Sequence, residues 1–387
     1  MSQRRILFVT RYHHLRYTGG AELQCWLLAR EFQRRGWEAH YVSENDRTDA
    51  PHELDGVKLH YLPESPKWLD GNRKQFEKIV AEIRPDVVYN RVFSYYTWLA
   101  MSRAPRGTVK IWAAAASSDA TVFGSFSELY RSKSFRQLSV LVPQLVYTRY
   151  FAAKGVRSAD VRLAQHYEQQ RALSRAGVET LVIRNSFAPV PDSEVQNHTG
   201  RPVVLWVGSV KVWKQPEKFI ELARRCKDLC ADFIIAGEVY EQEYRSLLDK
   251  AAKELPNFKY AGFVPLAEID RHFSAAHIHV KTSLPLEGFP NTFVQAWLRG
   301  VPVVSLGVDP DRLLSRNGFG FAVGSMDELE QRVRELLESP ELRREIGGCA
   351  REFAQKEFDL QANVDKLEEL IREKQVAVSP LPEAGGL

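Results

Sequence analysis

The 387-residue sequence predicts an α/β chain made of two Rossmann-like, doubly wound domains. Three observations predict it. Short apolar runs of strand character recur along the chain and alternate with amphipathic stretches of helical period, the pattern of a parallel sheet covered by helices on both faces. The alternation lapses once, between Asn185 and Pro202, where Pro189, Pro191 and Pro202 collect and periodicity is lost, which marks a linker. It then restarts with a new apolar run, VVLWVG.

The elements follow in order. RILFVT, from Arg5 to Thr10, reads as the first strand. A helix from Ala21 to Arg35 places Ala21, Cys25, Leu28, Ala29 and Phe32 on one face and stops at Gly36. AHYVSE, VKLHYL, DVVYNRV and VKIWAAAA read as further strands. The stretch from Phe126 to Lys154 mixes Arg131, Lys133, Arg136 and Arg149 with apolar residues such as Leu138, Val142, Val146 and Phe151. Pro143 is expected to interrupt it, and basic plus apolar residues suit either a membrane interface or a core-facing helix with a solvated edge. Beyond the linker come VVLWVG, a helix through Phe219 to Ala223, and the strand-like runs DFIIAG, FKYAGF, HIHVKT and VPVVSL. Phe358 to Lys374 reads as a charged helix, and Val376 to Leu387 as a loose tail.

Composition narrows the function classes. Hydrophobic residues make up 44% and charged residues 26%, as in a globular protein. No apolar run approaches the roughly 20 residues of a membrane-spanning helix. The opening MSQRRILFVT has too short an apolar run for a secretory signal, which points to a cytoplasmic protein. Cys25, Cys226, Cys230 and Cys349 form no disulfide framework. Cys226 and Cys230, one helical turn apart, lack a matching Cys/His pair and are read as packing residues; His277 and His279 lack a companion carboxylate and are read as structural. No metal site is expected. Net charge is +4, but residues 1–190 carry 28 Lys/Arg against 18 Asp/Glu while the remainder carries 25 against 31. A basic first half suits an anionic partner surface. No nucleic-acid recognition motif accompanies it. G-x-G-x-x-G does not follow any strand, which disfavours a dehydrogenase.

The segment from Pro285 to Pro302, PLEGFPNTFVQAWLRGVP, carries the most chemistry. Glu287 offers a carboxylate for hydroxyl groups, and Gly288 lets a backbone approach a ligand closely. Pro290 suits a helix start, Asn291 to Arg299 read as the helix, and Gly300 as its stop. A helix start of this kind presents free N–H groups to phosphate or sugar oxygens. The alternative is an ordinary strand–loop–helix unit.

This segment resembles the signature of the retaining glycosyltransferases of family 4, in which a Glu and a second Glu are separated by seven residues. Glu287 fills the first place and Gln295 the second. Other motifs of the family are similar and come in the right order: Arg5 to Thr10 with Tyr17-Thr18-Gly19-Gly20-Ala21-Glu22, Val182 to Asn185, and Val203 to Lys214. The resemblance implies the GT-B fold, two Rossmann-like domains facing across a cleft with the last helix crossing back to the first domain. The expected boundaries are 1–187 joined by 358–375, then 188–357, then a flexible tail at 376–387.

The resemblance also implies roles. A sugar would pass from a UDP- or GDP-sugar to a saccharide, glycolipid or secondary-metabolite acceptor, with retention and without a metal or other cofactor. Lys214, six residues after Gly208, would stabilise the leaving diphosphate, and Glu287 would hold the transferred sugar. Backbone groups of Gly288, Phe289, Asn291 and Thr292 would assist. Gln295 would hold ribose hydroxyls through its amide. Gly19 and Gly20 would bring a loop close to the diphosphate, while Glu22 caps its own helix. Gly237 and the backbone near Val264 would meet the nucleoside. Ser209 stands where the family has Arg, and Lys211 or Arg316 is the expected substitute. On the acceptor side stand His13, His14, Arg91 and Asp119, the last equally readable as a helix cap. The departures at Ser209 and Gln295 keep a second reading open, a binding-only partner subunit of the same fold. A sugar-nucleotide epimerase is a further alternative. Peripheral contact of the basic half with a membrane is also expected.

Overall fold

A computed structural model describes residues 3–13, 19–45, 49–64, 72–116, 119, 135–195 and 200–378. The chain divides into two compact units, one holding the residues up to Ser186 and those from Leu360 onward, the other Phe187–Asp359.

The first unit carries strands β1 (Arg5–Val9), β2 (Glu38–Glu44), β3 (Glu53–Leu54), β4 (Val57–Leu62), β5 (Val87–Asn90), β6 (Val109–Ala113), β7 (Val161–Ala164) and β8 (Leu181–Val182). Between them run α1 (Gly20–Arg34), α2 (Arg73–Ile83), α3 (Tyr95–Ser102), α4 (Phe135–Ser158) and α5 (Tyr167–Arg175). The strand order is β3-β4-β2-β1-β5-β6-β7-β8. All pairs are parallel except β3 with β4. Successive strand residues point to opposite faces, so each strand feeds two cores. Ile6, Phe8, Tyr41, Tyr89 and Ile111 pack with Cys25, Leu28, Ala29 and Phe32 of α1. Leu7, Val9, Val42, Val88 and Trp112 pack on the opposite face with Phe76, Val80, Leu99 and Val156.

The second unit carries β9 (Val203–Val207), β10 (Asp232–Ala236), β11 (Phe258–Tyr260), β12 (Ile278–Lys281), β13 (Val303–Leu306) and β14 (Gly320–Val323). Its helices are α6 (Pro216–Arg225), α7 (Gln242–Glu254), α8 (Leu266–Ala275), α9 (Asn291–Trp297), α10 (Leu313–Asn317), α11 (Met326–Glu338) and α12 (Pro340–Glu357). The sheet is parallel throughout, in the order β11-β10-β9-β12-β13-β14.

The last helix, α13 (Leu360–Val378), returns to the first unit, where Leu360, Val364, Leu367 and Ile371 are part of the α1 core. Arg35 fastens it, donating to the Gln361 carbonyl at 2.9 Å and to Glu368 at 3.0 Å, and the Trp37 indole donates to Glu368 at 2.8 Å.

Several boundaries differ from the expectations. The charged helix begins at Leu360, because Phe358 ends α12 and its carbonyl accepts from the Phe187 amide at 2.8 Å. It continues to Val378, so Val376 belongs to the helix and not to a tail; residues 379–387 lie outside the described residues. The linker is shorter than Asn185 to Pro202, since Asn185 and Ser186 are buried in the first unit, where Gln24 donates to the Ser186 carbonyl at 3.2 Å and accepts from its amide at 2.6 Å. Helix α4 runs unbroken through Pro143. A proline within a helix removes one N–H from the ladder, and the 24 residues of this helix supply turns enough on both sides to carry the gap. The part of the basic–apolar stretch before Phe135 lies outside the described residues. Cys226 is buried just past α6, whereas Cys230 is exposed and only Cys226 packs in the core. His277 precedes β12 and accepts from the Val203 amide at 3.1 Å, while a ring nitrogen of His279 lies 3.0 Å from the Leu205 carbonyl.

Candidate functional site

In the second unit, β9 and β12 are neighbours, and the chain leaves them in opposite directions, β9 toward β10 and β12 toward β13. Such a reversal of strand order opens a crevice at the carboxyl ends of the two strands. The loop after β9 carries Gly208 to Lys214, and the segment after β12 carries Thr282 to Pro290.

Three charged side chains meet there. The Glu287 carboxylate pairs with the Lys214 ammonium through one oxygen and with the Lys281 ammonium through the other, the latter at 3.0 Å. Side-chain exposures are 12% for Lys214, 11% for Glu287 and 3% for Lys281. Burial alone would raise the carboxyl pKa of Glu287, but the two ammoniums outweigh it and hold the group at about 2. Burial pushes Lys214 down to about 7, and Lys281 adds to the push against the pull of Glu287. His279, on the same strand as Lys281, is pushed down to about 3 by burial first and the neighbouring lysine second, so it stays neutral. The cluster therefore holds an ionised carboxylate flanked by more positive than negative charge.

The backbone sets this geometry. The Gly208 amide donates to Ala236 O at 3.1 Å, Val210 to Glu238 O at 2.8 Å, and Gly237 to Gly262 O at 2.8 Å, which laces together the ends of β9, β10 and β11. Gly237 lies at φ +155°, and a Cβ there would stand 1.8 Å from the Gly208 carbonyl oxygen, so only glycine fits. Lys214 closes a short 3₁₀ turn, Val212–Lys214. That turn is held to the β12 side by Thr282, whose hydroxyl donates to Lys214 O at 2.8 Å, and by the Leu284 amide, which donates to Trp213 O at 2.8 Å. The Lys214 ammonium also lies 4.3 Å from the centre of the Trp213 ring, a cation–π distance.

Sequence reasoning named Lys214 and Glu287 but missed Lys281 and Thr282. The available signal was a lysine within an otherwise buried strand run, HIHVKT, which needs a counter-charge somewhere.

The remaining residues expected at a donor site are spread around this cluster. Helix α9 spans only Asn291–Trp297 and ends two residues short of Arg299, with Gly300 at φ +70° beyond it. Gly288 and Phe289 are buried, and Phe289 packs edge-on to Phe293 and Trp297. Asn291 and Thr292 open the helix and are half-buried. Gln295 is 6% exposed on α9. Ser209 is half-buried beside Gly208. Lys211 lies 4.5 Å over the Tyr240 ring, and Arg316 is exposed on α10. Val264 follows the exposed Phe263 in the loop after β11.

In the first unit the order reverses between β1 and β5. Gly19 caps α1 and Gly20 is its first residue, so the backbone N–H groups of the first turn stand at the end of β1's loop. Glu22 is in that turn, where its charge suits the helix dipole. His13 is buried, edge-on to Trp26 at 5.0 Å and Tyr41 at 4.8 Å, a packing environment. His14 lies outside the described residues. Arg91 is buried and donates to Asn185 Oδ1 at 2.5 Å; with Arg184 and Gln165 it lines a cavity of about 10 Å³, too small for a sugar ring. Asp119 accepts from the amides of Ala115 at 2.7 Å and Ala116 at 2.9 Å, so it organises its own loop after β6.

Comparison with known proteins meets this geometry in both halves. Residues 18–133 match the family model described as Glycosyltransferase Family 4, and residues 201–339 match Glycosyl transferases group 1. Among solved structures, HepE from Anabaena, in complex with UDP and glucose, is 20% identical with a TM-score of 0.71 over 96% of this chain and 100% of that one. Sucrose-phosphate synthase from Thermosynechococcus elongatus is 15% identical with a TM-score of 0.72 over 97% and 100%. The chain has the GT-B fold, with glycosyltransferase family matches in both halves. A TarM variant from S. aureus, in complex with fondaparinux, alpha-GlcNAc-glycerol and UDP, is 11% identical with a TM-score of 0.73 over 95% and 100%. No curated protein matches the sequence. Within the GT-B frame, the Lys214–Glu287–Lys281 cluster lies inside the stretch matched by the second family model.

Proposed function

We propose that this protein is a retaining, metal-independent glycosyltransferase that takes a sugar from a nucleoside-diphosphate sugar, UDP-linked before GDP-linked, and passes it to a saccharide, glycolipid or secondary-metabolite acceptor. The observation that carries the reading is the cluster of Lys214, Glu287 and Lys281 at the strand-order reversal of the second unit. Fixed cations stabilise the charge that develops on a departing diphosphate, and a carboxylate beside them can accept from sugar hydroxyls. UDP is preferred because HepE was solved with UDP-glucose and the TarM variant with UDP.

Thermal-shift titration with UDP, GDP, ADP and TDP, with EDTA present, tests the donor. A ligand that binds only the folded state raises the melting temperature. A shift with one nucleotide supports the reading, and NMR of the anomeric product then reads retention. A flat response to all of them sinks it.

Gln295, an amide where the family signature has a carboxylate, and Ser209 favour a second reading, a binding subunit without turnover. Transfer or donor hydrolysis by the purified protein rules that out. In the enzyme reading the protein works in the cytoplasm, at a membrane face. Val146 and Tyr150, 56% and 57% exposed on α4, support that contact. Unchanged sedimentation with anionic liposomes after Val146→Glu and Tyr150→Glu would refute it.

A further inference from the structure

The second unit spends two buried lysines on one carboxylate, and a single ion pair would already neutralise it. Burying an additional ammonium is costly unless its charge is used. The two lysines are not equivalent. Lys214 reaches in from a loop and keeps 12% of its side chain exposed, whereas Lys281 stands on β12 with 3% exposed. A ligand arriving from solvent meets Lys214 first. Were Lys214 the sole partner of Glu287, a polyanion that drew it away would leave a bare carboxylate buried beside a second negative group.

We propose that Lys281 is the standing counter-ion of Glu287, which releases Lys214 to hold the diphosphate of a nucleoside-diphosphate ligand. This rests on the donor reading above and deepens it. Lys281 also supplies the second positive charge that Ser209 does not. Of the other candidate cations for that role, Lys211 is laid over Tyr240 and Arg316 is exposed on α10. The titratable groups around Lys214 are Glu287 and Lys281, with neutral His279 behind them.

The test is calorimetric titration of UDP and UMP into the full chain and into its Lys281→Met, Lys281→Arg and Lys211→Met variants, from pH 6.5 to 9. Circular dichroism first checks each fold. Lys281→Met is expected to weaken UDP binding about tenfold or more and UMP binding far less, because UMP lacks the second phosphate. Lys281→Arg keeps the charge and restores most of the affinity. In the wild type, affinity falls as Lys214 loses its proton above about pH 7; removing its like-charged neighbour moves that fall to higher pH. A purely structural role for Lys281 would not move the profile. Should Lys281→Met fail to fold, Lys281→Gln replaces it and the UDP-to-UMP ratio decides. Equal loss for UDP and UMP, or loss in Lys211→Met and not at Lys281, overturns the proposal while the donor reading stands. A wild type that binds neither nucleotide overturns both.

Discussion

Thr282 donates its hydroxyl hydrogen to the Lys214 carbonyl across 2.8 Å while it accepts the Trp206 indole N–H across 2.9 Å. One side chain thus ties the first core strand of the second unit to the loop that carries Lys214. Replacing Thr282 by Val keeps the shape and removes both bonds. It leaves the buried Trp206 N–H without its acceptor, at a cost of roughly 1–3 kcal/mol. Urea unfolding should show a loss in that range. UDP binding should weaken several-fold beyond what the stability loss explains, because the 3₁₀ turn bearing Lys214 is no longer pinned. Thr282→Ser should restore both. Unchanged UDP affinity in a destabilised Val variant would separate the turn from the ligand.

The lysine at that turn predicts a dependence of stability on pH. Lys214 is a base whose pKa in the fold is lowered to about 7 from the ordinary lysine value of 10.5. Below pH 7 both folded and unfolded chains carry its proton, and the fold bears the full cost of burying the charge. Between pH 7 and about 10.5 the fold releases the proton while the unfolded chain keeps it, so stability rises with pH by up to roughly 5 kcal/mol across the window. Glu287 acts at the other end. Its pKa is lowered to about 2, so its contribution is present above about pH 4.5 and is lost as pH falls toward 2. Urea midpoints at pH 7.0 and 9.5 should therefore rise more in the wild type than in Lys214→Met. A constant difference between the two proteins would mean that Lys214 keeps its proton in the fold.

Much of this architecture is legible in the chain, for physical reasons that differ by element. RILFVT, VVLWVG and VPVVSL are dense in branched apolar residues because a strand of a parallel sheet is buried on both faces. Four strands carry no such mark. Glu53–Leu54 and Leu181–Val182 are two residues each, too short for any period to show. Val161–Ala164 is four residues behind a long helix. Gly320–Val323 opens on a glycine whose Cβ would stand 2.0 Å from the Val303 carbonyl oxygen, so close strand packing puts a residue of low strand propensity at its start. The site divides in the same way. Glu287 and Lys214 can be found because motif spacing carries them. Lys281 shows in the sequence only as a lysine within an apolar strand run, HIHVKT, and the fold is needed to show that its counter-charge is Glu287. His13 errs in the opposite direction, because a histidine in a loop looks available until Trp26 and Tyr41 close around it.

Close backbone contact at the strand ends makes the last prediction. Gly237 and Gly208 belong to adjacent strand exits, and the gap between them excludes a methyl group. Gly237→Ala must move one of the two loops, and it also asks an L-residue to hold φ +155°. Overpacking and backbone strain each cost about 1–3 kcal/mol, so a total loss of roughly 2–6 kcal/mol is expected from chemical denaturation. Gly348, inside α12 with nothing within 4 Å of where a Cβ would stand, is the matched control. Gly348→Ala should stabilise by about 0.5–1 kcal/mol, since alanine is the better helix former. Because the displaced loop leads to Ser209 and Lys214, Gly237→Ala should also weaken UDP binding at temperatures where the protein is still folded, and Gly348→Ala should not. Equal effects of the two substitutions would mean that the strand exits yield freely, and that the position of Lys214 is set by the Thr282 tie alone.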